Sequence, residues 1–279
     1  MDDEMTDLDH DLGRQQVQLG DRHFELGEIE EALLRYEEAL AIYQAANGRS
    51  QQALIHNKIG VAQATNGRWD HALEQYNRAL PIWQEMNRRE EESATFFNIG
   101  IAHANNGSAA EALTAYYQAL AISEELADRA GQAETHSRIA ELLVQKGRRE
   151  SALEHFKHAL TICEMAGQKQ WQAVLLYEIG RLYQGMGRGE KAIASYMTAV
   201  PLLDEEGDWA GLSDTLFNMA LILYNMGGLD EAATFLRQVQ EFDRRCAHPD
   251  SDKHNAALAQ IEAEIQAQPQ SSGPSDNGV

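Results

Sequence analysis

Basic residues are scarce in this chain: 23 lysines and arginines stand against 44 aspartates and glutamates, leaving a formal charge of −21 over 279 residues. So acidic a surface disfavours the phosphate-neutralising contacts behind nucleic-acid affinity, and no nucleic-acid partner is expected. Thiols are nearly absent. Cys163 and Cys246 fall in separate helical patterns rather than at metal-ligand spacing, so neither a disulfide framework nor a zinc site is suggested, and both read as reduced. Long apolar runs are missing as well. No stretch approaches the ~20 apolar residues of a membrane helix, and residues 1–11 are acidic where a signal peptide would be basic and then apolar. A cytoplasmic protein with no membrane partner is the expectation. What is present, 43% hydrophobic and 24% charged residues, is ordinary for a soluble chain that buries a core.

The organisation lies in a repeat. One glycine recurs at Gly27, Gly67, Gly107, Gly147, Gly187 and Gly227, a period of 40 with no insertion or deletion. Seven residues ahead of each stands a small residue: Gly20, Gly60, Gly100, Ala140, Gly180 and Ala220. After each turn glycine come an alanine (Ala32 through Ala232) and, four residues on, Tyr36, Tyr76, Tyr116, Phe156, Tyr196 and Leu236. A further small column runs from Ala39 to Val239. These offsets are helical, so each copy is two helices broken by its glycine. In the second copy they predict helices over 51–66 and 70–86. Ser108 followed by Glu111 predicts a capping box, and Pro81 and Pro201 predict kinks without a break.

A small residue, a turn, an alanine, an aromatic four on and a further alanine together resemble the tetratricopeptide repeat, over about residues 12–245. At 40 residues the unit is about six longer than the usual form, and the proline that normally ends the second helix is missing. The longer unit is similar to the repeats of kinesin light chains and spindle-orientation adaptors. The fold expected is all-α, a right-handed superhelical solenoid of six helix-turn-helix repeats over residues 10–249. A capping helix over 250–268 would follow, its stripe made by Leu258, Ile261 and Ile265. Residues 1–9 are expected to be an acidic mobile N-terminus, and the polar tail 269–279 to be disordered.

No chemistry stands out. The run Gly185 to Lys191 has glycines but not the order of a phosphate-binding loop. His155 and His158 lie three apart on a helix but lack further metal ligands. No nucleophile–base pair is marked out, so no enzyme, cofactor or metal is expected.

One face of each first helix differs between copies. It carries Lys58 and Val61, then Ala94, Asn98, Ile101 and Asn105, then Glu134 and Arg138, then Arg181, and Asn218 with Asn225. The resemblance implies that this stripe lines a concave groove that binds an extended or helical segment, making the chain a non-catalytic scaffold or adaptor. Apolar positions mixed with amides and cations suit such a ligand. Asn98 and Asn218 fall where the family often holds a peptide backbone with asparagine. The lysine–asparagine clamp of its chaperone-binding members is not reproduced. With Lys58, Arg138 and Arg181 as its cations, the stripe leads us to expect a protein or peptide partner with acidic and apolar residues. The alternatives are a self-assembling structural scaffold and a receptor for a short signalling peptide. A monomer is favoured, because the cap would close the apolar end.

Overall fold

The computed structural model describes residues 7–267. The expectations for residues 1–9 fall mostly outside that range, and those for 269–279 wholly so. Among the described residues there are thirteen helices and no strand. They form two compact units, divided between Arg148 and Arg149.

The first unit contains α1 (Asp7–Glu25), α2 (Ile29–Ala45), α3 (Arg49–Thr65), α4 (Trp69–Glu85), α5 (Arg89–Asn105), α6 (Ala109–Glu125) and α7 (Arg129–Gln145). The second contains α8 (Arg149–Met165), α9 (Lys169–Gly185), α10 (Gly189–Glu206), α11 (Trp209–Asn225), α12 (Leu229–Cys246) and α13 (Ser251–Ala267). Each helix begins a turn after the last one ends. From α2 to α12 the starts fall every 20 residues.

The turns explain that regularity. Gly27, Gly67, Gly107, Gly147, Gly187 and Gly227 all have positive φ, between 71° and 87°. At Gly27 the following N–H, that of Glu28, reaches back to the His23 carbonyl at 2.9 Å, while the N–H of Gly27 itself bonds Phe24 at 3.0 Å. That is the paired closure of a Schellman turn, which satisfies the last carbonyls without side chains. A second series of left-handed residues, not anticipated from the sequence, closes the turns between copies: Asn47, Asn87, Ala127, Gly167, Gly207 and Ala247. Side-chain caps are few among the described helices. Ser108 makes no capping bond, contrary to expectation. Asp128 and Asp208 do cap, accepting from the N–H of Gly131 at 3.0 Å and of Gly211 at 2.9 Å. Pro81 and Pro201 lie inside α4 and α10, which run through them unbroken.

The small column and the aromatic column are one contact. A Cβ on Gly60, Gly100 or Gly180 would overlap the ring of Tyr76, Tyr116 or Tyr196 respectively. Each ring therefore lies flat on bare backbone of the preceding helix, and each is almost wholly buried. In the last copy the glycine is replaced by Ala220 and the aromatic by the smaller Leu236, both fully buried. Volume is kept while the shape changes.

Neighbouring copies are joined by a rung that the sequence did not show. The amides of Gln52, Gln132 and Gln172 donate to the Tyr43, Ser123 and Cys163 carbonyls, each at 2.9 Å. In the second unit α13 packs on α12, with Leu258 and Ile261 buried and Ile265 half-buried.

Candidate functional site

The stripe residues divide between the two units and are described within each. In the first unit Val61, Asn98 and Ile101 are half-buried on α3 and α5, and Asn105 and Arg138 are exposed. Val61 packs on the core that contains Tyr76 and Ile99, leaving part of its surface available.

The polar members are more committed than the sequence suggested. Lys58 Nζ lies 2.7 Å from Asp21 Oδ1 on α1, and Asp21 also accepts from the Tyr36 hydroxyl at 2.7 Å. The Asp21 carboxylate and burial together push the Tyr36 hydroxyl upward in pKa, burial contributing more. Arg138 pairs with Glu141 one turn along α7 at 3.1 Å. Asn105 donates to the carbonyl of Ile101 at 2.9 Å and so serves its own helix.

Beside these residues the first helices of copies three and four form a cleft of about 540 Å³. Ala94 and Glu134, which occupy the same stripe position in successive copies, both line it, with Phe97 and Thr135. The Phe97 ring lies 5.7 Å from that of Tyr116. Burial raises the Tyr116 hydroxyl to about 12, so it stays neutral at any ordinary pH. Glu90, Asp128 and Glu134 make the rim acidic.

In the second unit Arg181 pairs with Glu178 at 3.1 Å, and the Glu178 charge is the main reason its pKa is raised. The Asn218 amide donates to the Tyr177 hydroxyl at 3.2 Å. Asn225 is exposed and, with Gln184, Ile222 and Met226, borders a second cleft at the α9–α10 turn. One residue that sequence reasoning missed is Trp171. It is 59% exposed, one helical turn before Val174 at 46%, and the two form an apolar surface on α9. Only its departure from the repeat columns could have flagged it.

A profile of the tetratricopeptide repeat matches residues 12–85, 91–165 and 171–245, and the chain belongs to that family. No curated protein matches it in sequence. Among solved structures, the STAND-class signal transduction ATPase PH0952 from Pyrococcus horikoshii, which has a tetratricopeptide repeat sensor, superposes with a TM-score of 0.80 at 14% identity. The match covers 92% of this chain and 39% of that one, so the chain spans well under half of that protein. The putative kinesin light chain repeats of Podosopora anserina align at a TM-score of 0.58 and 17% identity, over 69% of this chain and 94% of theirs. A Rap protein complexed with Competence and Sporulation Factor aligns at 0.58 and 16%, over 90% and 75%. At such identities the likeness concerns the fold. Tetratricopeptide repeats serve protein interaction, and none of the described helices is long and apolar enough to cross a membrane.

Proposed function

We propose that this chain is a non-catalytic scaffold that binds an extended or helical protein segment along the variable stripe of its first helices. The observation that carries the reading is the cleft between α5 and α7, which Ala94 and Glu134, equivalent positions of successive copies, both line. Its lining offers Phe97 and Ala94 to an apolar anchor, and the half-buried Asn98 amide nearby on α5 suits a peptide backbone. The charge complement differs from the sequence expectation. Lys58, Arg138 and Arg181 are each already paired with a carboxylate, so an acidic partner would have to displace Asp21, Glu141 or Glu178. The rim carboxylates Glu90 and Glu134 instead favour a segment with a basic residue beside its apolar anchors. A second reading, a receptor for a short signalling peptide, draws on the Rap protein complexed with its factor and uses the same cleft.

Selection of displayed random peptides on the wild-type chain tests both readings, with Ala94→Arg and Glu134→Lys as filters. Ala94→Arg fills the cleft from an exposed helix position. Enriched peptides should carry apolar and basic residues and lose at least tenfold in affinity on either variant, with unchanged helical content. Peptides that bind both variants as tightly as wild type would place the binding surface outside the α5–α7 cleft.

A further inference from the structure

The second unit buries a cluster of polar groups that the scaffold reading does not use. His254 on α13 is 1% exposed, and its Nδ1 lies 2.9 Å from Asp243 Oδ2 on α12. Asp243 is itself buried and accepts on its other oxygen from the Ser213 hydroxyl. A carboxylate on Nδ1 fixes the neutral ring with its proton there and leaves Nε2 as a bare lone pair. That Nε2 is buried without a hydrogen-bond partner. A buried polar atom with no partner is costly, and native folds rarely keep one without a use.

The surroundings supply two further donors. The His248 ring, from the α12–α13 link, lies 5.2 Å from that of His254, and its Nε2 is 3.6 Å from Asp214 Oδ1 on α11. One ligand atom from each of Asp214, His248 and His254 lies within 4.8 Å of the other two. Phe217 packs 4.2 Å from the His254 ring and closes the apolar side. Asp214 is 44% exposed along its side chain and opens the other side to solvent.

We propose that Asp214, His248 and His254 form a binding site for a divalent transition ion of the zinc type. Two imidazoles and one carboxylate are a ligand set for such an ion, and water can fill the fourth, solvent-facing position. Asp243 and Ser213 form the outer layer: the carboxylate orients the His254 ring and makes its Nε2 a better donor, and the serine holds the carboxylate. With both histidines neutral, the two carboxylates balance the charge of the ion. Metal bonds of about 2.0–2.2 Å require the ligand atoms to draw together, which the half-exposed Asp214 can do by a side-chain rotation. Loading also breaks one bond. His248 Nδ1 accepts from the Asp250 N–H at 3.1 Å, and with metal on Nε2 the ring proton must move to Nδ1. The freed N–H, at the start of α13, turns to water. The ligands come from α11, α13 and the link before α13, so the ion fastens the terminal helix to the repeat beneath it.

The test uses the full chain, stripped with chelator and titrated with zinc chloride by calorimetry. The expected result is one equivalent bound with Kd below 10 μM, an order-of-magnitude threshold for a three-ligand site. A melting temperature that rises with zinc and falls back on adding chelator should accompany it. Cobalt substitution should give the visible absorption of a four-coordinate ion. Because His254→Ala removes a core side chain and endangers folding, the informative variants are Asp214→Ala and His248→Gln, each expected to weaken zinc at least tenfold with helical content retained. His155→Gln with His158→Gln should leave the affinity unchanged, which separates the cluster from the pair on α8. Absence of a one-equivalent site, binding unaffected by both ligand variants, or loss of binding in the α8 variant would each overturn the proposal.

Discussion

Gly100→Ala adds a single methyl group, and the structure gives that group a definite victim. The new Cβ would overlap Cδ1 and Cε1 of Tyr116 and stand 3.0 Å from its Cγ. Tyr116 is 2% exposed, so the ring has no free space to retreat into. Overpacking of this kind costs about 1–3 kcal/mol, against which alanine gains about 1 kcal/mol over glycine in a helix interior. With two ring atoms overlapped the upper part of that range applies, and the net expectation is a loss of about 1–2 kcal/mol. Two copies carry the alanine: Ala140 accompanies Phe156, which lacks the hydroxyl, and Ala220 accompanies Leu236, which lacks the ring altogether. In a Tyr116→Leu background, itself weakened by about 2 kcal/mol from the lost ring, Gly100→Ala should therefore stabilise by about 1 kcal/mol. The sign reversal corresponds to a coupling of about 2–3 kcal/mol, as expected of residues in direct contact. Urea unfolding followed by far-ultraviolet circular dichroism on the four proteins measures it. Equal shifts in both backgrounds, or a stabilised single Gly100→Ala variant, would refute the tyrosine-on-glycine account.

Three further outcomes follow from the same structure. Ala127 holds φ near 54°, where a side chain is strained, so Ala127→Gly should raise stability by about 0.5–1 kcal/mol, read as an increased urea midpoint. Removing residues from Pro249 onward strips Leu258 and Ile261 from the core and uncovers α12. At about 1.5–3 kcal/mol per side chain this should destabilise by about 3–6 kcal/mol and promote association seen by light scattering; a truncated chain that melts unchanged as a monomer would show that α13 is not a cap. Burial lowers the pKa of His56, outweighing its 2.7 Å bond to Gln75. The folded state then takes up its proton at lower pH than the unfolded chain. Stability should fall as pH drops below about 6.5, and His56→Gln should remove that part of the slope in melting temperature measured between pH 7 and 5.

The glycine and aromatic columns were legible because each position repeats one chemistry in nearly every copy. The left-handed residues between copies were hidden for the opposite reason: Asn47, Asn87, Ala127, Gly167, Gly207 and Ala247 share a conformation and no side chain. The helices of the second copy start at Arg49 and Trp69, slightly ahead of the expected 51 and 70, because a Schellman turn lets a new helix begin almost at once. Ser108 and Glu111 had the letters of a capping box, but ψ at Ser108 is 66°, against 92° and 80° at Asp128 and Asp208, which do cap. Among the stripe residues, the positions of Lys58 and Arg138 were readable and their availability was not. Glu141 and Glu178 were within one turn of their arginines, whereas Asp21 lies 37 residues from Lys58 and meets it only through packing. The Asp214, His248 and His254 cluster was invisible for the same reason, since three elements must fold before it exists.

The 20-residue beat of the turns and the 40-residue beat of the side chains set a rule for how such a gene can lengthen or shorten. Every junction is closed by its own main chain, so recombination at any left-handed residue leaves a geometrically sound turn. The glycine floors and the tyrosines that rest on them alternate from one helix to the next, so only a whole two-helix unit restores the match. A loss or duplication of 20 residues would leave one junction without its floor or without its ring; one of 40 residues leaves none. Length polymorphism in this locus is thereby expected to come in steps of 120 base pairs, three nucleotides for each of the 40 residues of the period.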